Sequence, residues 1–263
     1  MSQPYVTIDA FTDQPFRGNP AAVCVLEQPR DDVWLQGVAR EMNCAETAFL
    51  TRRPDGFGLR WFTPETEVPL CGHATLASAH ALWEAAVVPP TAAIDFHTQS
   101  GVLSARRDGD WIRLSFPPAP VATITPTAAE LDALGVAPVA VARNRFVTIA
   151  QLSAAATVRG FMPQPARLRI FPGMGVAITA RSETPGFDIV SRFFAPQVGL
   201  DEDPATGGAH VALASFWPPQ LGTSSFMAEQ ASARGGVFRV EAHADRIDLL
   251  GHAITTLRGT IIV

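Results

Sequence analysis

A few side chains in this chain are of types that could move protons or hold a polar ligand. Glu46 stands among Asn43, Cys44, Ala45, Thr47, Ala48 and Phe49. Burial among such neighbours would disfavour the charged carboxylate and raise its pKa, which is how a glutamate is tuned to exchange protons near neutrality. The alternative is a surface glutamate at a strand start. His73 follows Gly72 where an apolar stretch begins. It can hydrogen-bond a ligand, carry a second proton, or simply cap or pack the segment. Asp203 precedes Pro204 and can bind an amine, a hydroxyl or an imidazole, or cap that turn. Asn19, between Gly18 and Pro20, is either a ligand contact or a turn residue. Cys71 adjoins Gly72, but nothing around it marks a lowered thiol pKa, so a buried structural thiol is the better reading.

Other chemistries lose support. All 20 basic residues are arginines, so no lysine can form a Schiff base, with or without pyridoxal phosphate. His73 and His80 lack the one-turn offset of zinc ligands on a metalloprotease helix, and no Cys/His spacing suggests a metal. Gly173-Met174-Gly175 lacks the third glycine and the strand–turn–helix context of a dinucleotide fingerprint. Neither organic cofactor nor metal is therefore expected. A net charge of −5 with scattered arginines gives nucleic acid no basic face. The N-terminal segment reads as a strand and not as a signal peptide, and no apolar run is long enough to cross a bilayer. Cys24, Cys44 and Cys71 have no paired spacing, which fits a reducing cytoplasm.

These residues need elements to position them. With 47% hydrophobic and only 17% charged residues, a folded chain is expected, in one large domain or two ordinary ones. Alternation predicts a strand over 5–10, then a loop to Pro20 and a buried strand over 21–26. Asp31 and Asp32 open a helix running to about Met42. Strands are predicted at 46–51 and 58–62. Residues 71–83 are apolar around most of a helix circumference, so that helix should be buried on all sides. Strands follow at 93–96, 102–106 and 111–116. The segment Pro117-Pro118-Ala119-Pro120 suits a domain junction. Beyond it, strands are expected at 139–141, 145–149, 167–171, 175–180 and 187–194. A second apolar helix from Gly207 is stopped by Pro218 and Pro219, and strands at 237–242, 246–250 and about 259–263 complete the chain.

The chain also repeats itself. Phe62-Thr63-Pro64 recurs as Phe194-Ala195-Pro196, and the eleven residues from Glu67 align with those from Glu202, sharing Glu, Pro, Gly and two Ala. Each copy then enters an apolar helix. The repeat implies two similar lobes, 1–116 and 117–257, each a sheet curled around its own helix, with the strand near 258–263 returning to the first. Helix starts at Gly72, Gly207 and Gly208 would offer unpaired N–H groups and the positive end of a dipole to a carboxylate.

The motifs Asp9-Ala-Phe-Thr12, Gly18-Asn-Pro20, Glu46-Thr-Ala-Phe49, Cys71-Gly-His-Ala-Thr75 and Glu202-Asp-Pro-Ala-Thr-Gly207 occur in order along nearly the whole chain. Together they resemble the PhzF-like family, named for an isomerase of phenazine biosynthesis. The resemblance implies an α+β, diaminopimelate epimerase-like fold with two pseudo-symmetric lobes, an active site between them, a homodimer, and no cofactor. It implies that Glu46 is the general acid/base, that His73 and Asp203 sit in the site, and that Asn19 contacts substrate. The expected reaction is a proton and double-bond shift in a small carboxylate-containing metabolite. Alternatives are a two-base epimerase or racemase of an amino or hydroxy acid, and a binding homologue without chemistry. The family often has Ser where this chain has Gly208, which removes one hydroxyl donor. Relatives using two thiols place a Cys at each helix start; here Thr206 stands at the second.

Overall fold

A computed structural model describes residues 2–262. The chain divides into two compact units, Met1–Ser115 with Leu250–Val263, and Phe116–Leu249.

In the first unit, β1 (Ser2–Ala10) is followed by β2 (Asn19–Leu26), α1 (Asp32–Met42), β3 (Glu46–Arg53), β4 (Gly56–Phe62) and β5 (Glu67–Val68). Then come α2 (Gly72–Glu84), β6 (Ile94–Thr98), β7 (Gly101–Asp108) and β8 (Trp111–Phe116). β1 and β2 are antiparallel, β2 and β3 parallel, and β3 and β4 antiparallel. β4 pairs antiparallel with β5 and parallel with β6, which pairs antiparallel with β7. The last strand, Ala253–Ile262, lies antiparallel along the whole of β1. Asp31 caps α1 by accepting from the backbone N–H of Trp34 at 2.8 Å. α2 packs against β1, β2, β3 and the last strand. Its Ala-rich sequence lets backbone approach backbone, and ten of its residues are buried. Its two interior hydroxyls stay satisfied by bonding back: Thr75 Oγ1 donates to Cys71 O at 2.5 Å and Ser78 Oγ to Ala74 O at 2.7 Å.

The second unit holds β9 (Ala122–Thr123), α3 (Ala128–Leu134), β10 (Ala140–Arg143), β11 (Val147–Gln151), α4 (Ala155–Arg159), α5 (Pro165–Leu168), β12 (Gly175–Arg181), β13 (Ile189–Ala195), β14 (Leu200–Asp203), α6 (Gly207–Phe216), α7 (Pro218–Leu221), β15 (Ser225–Gln230), β16 (Gly236–Ala242) and β17 (Ile247–Gly251). From β10 to β16 the pairings run antiparallel, parallel, antiparallel, antiparallel, parallel, antiparallel. That is the order found from β1 to β7. The repeat glimpsed in the motifs is therefore a repeat of topology, with α6 in the place of α2. α6 packs on β11 and β16 and buries seven of its ten residues.

Several expectations need correction. Residues 167–171 are not a strand. Pro165 opens the short helix α5, and Arg167 and Leu168 belong to it. Their apparent alternation is a helical turn with Leu168 inward and its neighbours out. Pro218 and Pro219 end α6, yet they also start α7, since proline suits a first helical turn. β15 was not expected. Neither was α3, although its capping box is complete: Thr127 Oγ1 accepts from Glu130 N–H at 3.2 Å, and Glu130 accepts from Thr127 N–H at 2.8 Å.

Candidate active site

Glu46 is the first residue of β3, level with Ala21 on β2. Residues two apart on a strand share a face, so Asn19, Ala21, Glu46 and Ala48 point the same way. Asn19 opens β2 and is fully buried. His73 is the second residue of α2, preceded by Gly72, with Cys71 at the N-cap position. The sheet register and the helix start thus bring together residues 27 positions apart. His73 Nε2 lies 3.2 Å from Glu46 Oε2, with the side chains only 6% and 14% exposed. The contact is close, but it lacks the alignment of a hydrogen bond. On the other edge of the ring, Nδ1 lies 3.5 Å from Cys71 Sγ. Burial pushes the His73 imidazole down to about 3, so the ring is neutral at ordinary pH. A neutral ring keeps one nitrogen lone pair and one N–H, and can accept or donate at the carboxyl.

The corresponding turn of the second unit has a different chemistry. Asp203 ends β14 and is buried. Its Oδ2 accepts from Thr206 Oγ1 at 2.5 Å. Gln230 ties the turn from β15: its Nε2 donates to Asp203 O at 2.6 Å, and its Oε1 accepts from Thr206 N–H at 2.8 Å. Ser232 Oγ donates to Pro204 O at 2.7 Å. Gly207 and Gly208 then begin α6. Gly207 is buried, Gly208 is exposed, and a Cβ at Gly208 would meet nothing within 4 Å. His210, one turn in, is fully buried and stacks on Phe238 with ring centroids 3.6 Å apart. Its Nδ1 lies 2.8 Å from Thr206 O, which makes Nδ1 the protonated nitrogen.

Helix caps distinguish these two starts from those of α1 and α3, while the short helices α4, α5 and α7 also lack a side-chain cap. Asp31 and Thr127 close the first turns of α1 and α3, whereas neither Cys71 nor Thr206 makes a side-chain cap bond. The first N–H groups of α2 and α6 are thereby left to other acceptors.

A repeated device anchors both starts. Arg60 grips Glu67 with two bonds of 2.7 Å, and Arg192 grips Glu202 with bonds of 2.7 and 2.8 Å. Each guanidinium also lies over the phenylalanine two residues on, Phe62 at 5.0 Å and Phe194 at 5.1 Å. Arg192 further donates to Phe161 O at 2.6 Å. Sequence reasoning missed both arginines and Gln230. The sign available was an arginine two residues before each repeated phenylalanine, beside the Glu already matched.

The repeat also isolates the acid. Thr47 pairs with Phe62 as Val176 pairs with Phe194, so Gly175 stands where Glu46 stands. By the motif alignment, Cys71 and His73 correspond to Thr206 and Gly208. Only the first unit carries the carboxyl, the thiol and the imidazole.

Residues 8–259 match the family described as phenazine biosynthesis-like protein, PhzC-PhzF. The chain belongs to the PhzF-like family. An uncharacterised isomerase of Halalkalibacterium halodurans is 46% identical over 264 residues, covering all of both chains. Another from Pseudomonas aeruginosa is 44% identical over 261 residues, covering 97% of this chain and 96% of its own. The crystal structure of a PhzF-family protein of Enterococcus faecalis covers both chains fully, with a TM-score of 0.95 at 35% identity. A probable proline racemase of Agrobacterium radiobacter, 14% identical with a TM-score of 0.66 over 99% of this chain and 92% of its own, shares the fold. The architecture is the diaminopimelate epimerase-like one, and at the level of the PhzF-like family the activity is that of isomerases. Among the described residues, no helix is long and apolar enough to cross a membrane.

Proposed function

We propose that this PhzF-like protein moves a proton between carbons of a small carboxylate-containing metabolite, with Glu46 as the proton carrier and a shift of a double bond as the result. One observation carries the proposal: a carboxyl at a strand start, only 14% exposed, in contact with a neutral imidazole. Glu46 takes the proton from a carbon activated by the adjoining carboxylate and returns it elsewhere on the same molecule. At 14% exposure the carboxyl holds the proton long enough to return it yet exchanges part of it with solvent, so turnover in D₂O marks the product. His73, in contact at 3.2 Å, limits where the carboxyl can turn and takes part in binding. Asn19, Gly72, Asp203, Gly207 and Gly208 are assigned to binding, the glycines through backbone N–H groups suited to a carboxylate and to the charge that develops on it. Neither a cofactor nor a metal takes part in this step. A homodimer in a reducing, cytoplasmic setting belongs to the same proposal; none of the three cysteines is in a disulfide, and sedimentation at micromolar concentration checks the dimer.

The two-base alternative is disfavoured on geometry. Inversion needs bases on opposite faces of one carbon, and the two candidates for a second base, His73 at 3.2 Å and Cys71 within 4.8 Å, lie too close to the Glu46 carboxyl for a carbon to sit between them. The counterpart of Glu46 is Gly175, which supplies no second base. The test is incubation of small amino, hydroxy and unsaturated carboxylic acids in D₂O with wild type and Glu46→Gln. The expected result is C–H exchange by wild type and its loss in Glu46→Gln with ligand binding kept. Undiminished exchange in the variant removes Glu46 from the role.

A further inference from the structure

Glu46, Cys71 and His73 have a second property that no sequence spacing announces. Each offers a metal-ligating atom, and with one imidazole nitrogen serving, the three atoms lie within 4.8 Å of one another. They supply a thiol, an imidazole and a carboxylate, a donor set that suits zinc and its softer congeners. The spacings agree. Tetrahedral bonds to zinc place sulfur and nitrogen about 3.6 Å apart, and nitrogen and oxygen about 3.3 Å apart. The structure has 3.5 Å from Cys71 Sγ to His73 Nδ1 and 3.2 Å from His73 Nε2 to Glu46 Oε2. These distances run to opposite ring nitrogens, so one ion cannot use both: it takes Nε2, the nitrogen that faces Glu46, and the Cys71 side chain turns round the ring edge to join it, the three ligand atoms already lying within 4.8 Å.

An independent observation points the same way. His73 Nε2 is buried and makes no aligned hydrogen bond, a condition that buried polar atoms rarely tolerate. A Lewis acid would satisfy it. The other trio of this kind, Glu241, His243 and Asp248, differs on this point. Its His243 is exposed, so that trio has no buried imidazole nitrogen lacking a hydrogen bond.

We infer that Cys71, His73 and Glu46 form a binding site for a thiophilic divalent cation of the zinc and cadmium class. Cys71 gives its proton to solvent as the sulfur–metal bond forms, and the resulting thiolate and carboxylate match the charge of the ion. The 14% of the Glu46 side chain that stays exposed is the side from which an ion and a fourth, water ligand would enter. The occupied site ties up the Glu46 oxygen, so binding and proton transfer exclude each other; this last point alone rests on the isomerase proposal.

The test uses the full chain, stripped with chelator and titrated with cadmium chloride, following the thiolate-to-cadmium charge-transfer absorption. The other thiols are controls: Cys24 is buried with its pKa pushed up to about 12, and Cys44 is half-buried. One equivalent should bind in wild type and in Cys44→Ser. The band should vanish in Cys71→Ser, and His73→Gln should weaken affinity at least about tenfold. Circular dichroism checks that the variants fold. The cadmium-113 resonance of wild type, which needs no variant, should report one sulfur ligand with nitrogen and oxygen. A full band in Cys71→Ser, its loss in Cys44→Ser, or a resonance with no sulfur or two sulfurs overturns the site. Zinc should then slow the D₂O exchange with the affinity measured in the titration. If no carboxylate exchanges at all, the isomerase proposal fails while the cadmium titration still decides the metal site.

Discussion

Replacing His210 by Asn should flatten the acid side of the stability curve. His210 is fully buried, donates from Nδ1 to Thr206 O, stacks on Phe238, and has its Nε2 3.4 Å from Ser191 Oγ. Burial, opposed in part by the Thr206 bond, lowers its pKa from 6.5 to about 4. Between those values the unfolded chain takes up a proton that the folded one refuses. The contribution to stability is therefore complete above about pH 6.5, declines as pH falls toward 4, and levels off below. At about pH 5 the loss from this group is about 2 kcal/mol, approaching about 3 kcal/mol at lower pH. That is a large share of the roughly 5–15 kcal/mol that holds a typical domain folded. In His210→Asn the amide N–H can still reach Thr206 O, and nothing titrates. The variant loses a ring's worth of packing, about 1–3 kcal/mol, equally at both pH values. Urea unfolding at about pH 7 and about pH 5 should thus show wild type losing about 2 kcal/mol more than the variant over that interval. NMR of labelled histidines gives a direct check, since the His210 ring resonance should hold still down to about pH 5. Parallel losses in the two proteins, or a ring titrating near its ordinary value, would refute the reasoning.

Further expectations are more local. Arg192→Lys cannot keep both bonds to Glu202 and the one to Phe161 O, so thermal unfolding should show a loss of about 1–3 kcal/mol. Gly251→Ala would bring a Cβ to 2.3 Å from the buried Phe11 ring and 3.0 Å from Leu76, and denaturant titration should register about 1–3 kcal/mol of overpacking. Gly208→Ser, by contrast, has open space and should leave the unfolding midpoint within about 0.5 kcal/mol of wild type; a larger loss would mean that the position is not open. Thr127→Ala removes one arm of the α3 capping box and should cost about 1 kcal/mol by the same measurement.

Local signals in the chain were legible, and distant pairings were not. Asp31 before an amphipathic run marks α1, and the uniformly apolar 71–83 segment announces a buried helix, because both patterns lie within one element. Ser225–Gln230 was missed because Ser, Met, Ala, Glu and Gln have no β-branched alternation; pairing with β13 and β16 makes it a strand. Glu46 and His73 stood out by type and context, but their contact depends on which strand lies beside α2, and no spacing encodes that. Gln230 and Arg192 act on the Asp203 turn from 27 and 11 residues away, across strands whose register sequence patterns leave open. Cys71 shows the same limit: read alone it was a structural thiol, whereas in the fold it shares an imidazole with an acid.

The pairing of Ala253–Ile262 with β1 has a consequence for biosynthesis. A ribosome releases β1, β2 and α2 long before it has translated the strand that flanks them, so this half of the molecule waits with an open edge and part of α2 uncovered. The intervening segment, 116–249, is continuous and has its own core, and can close while the earlier one is still incomplete. Removing only the final ten residues should therefore injure the first-made part of the chain and spare the segment made between.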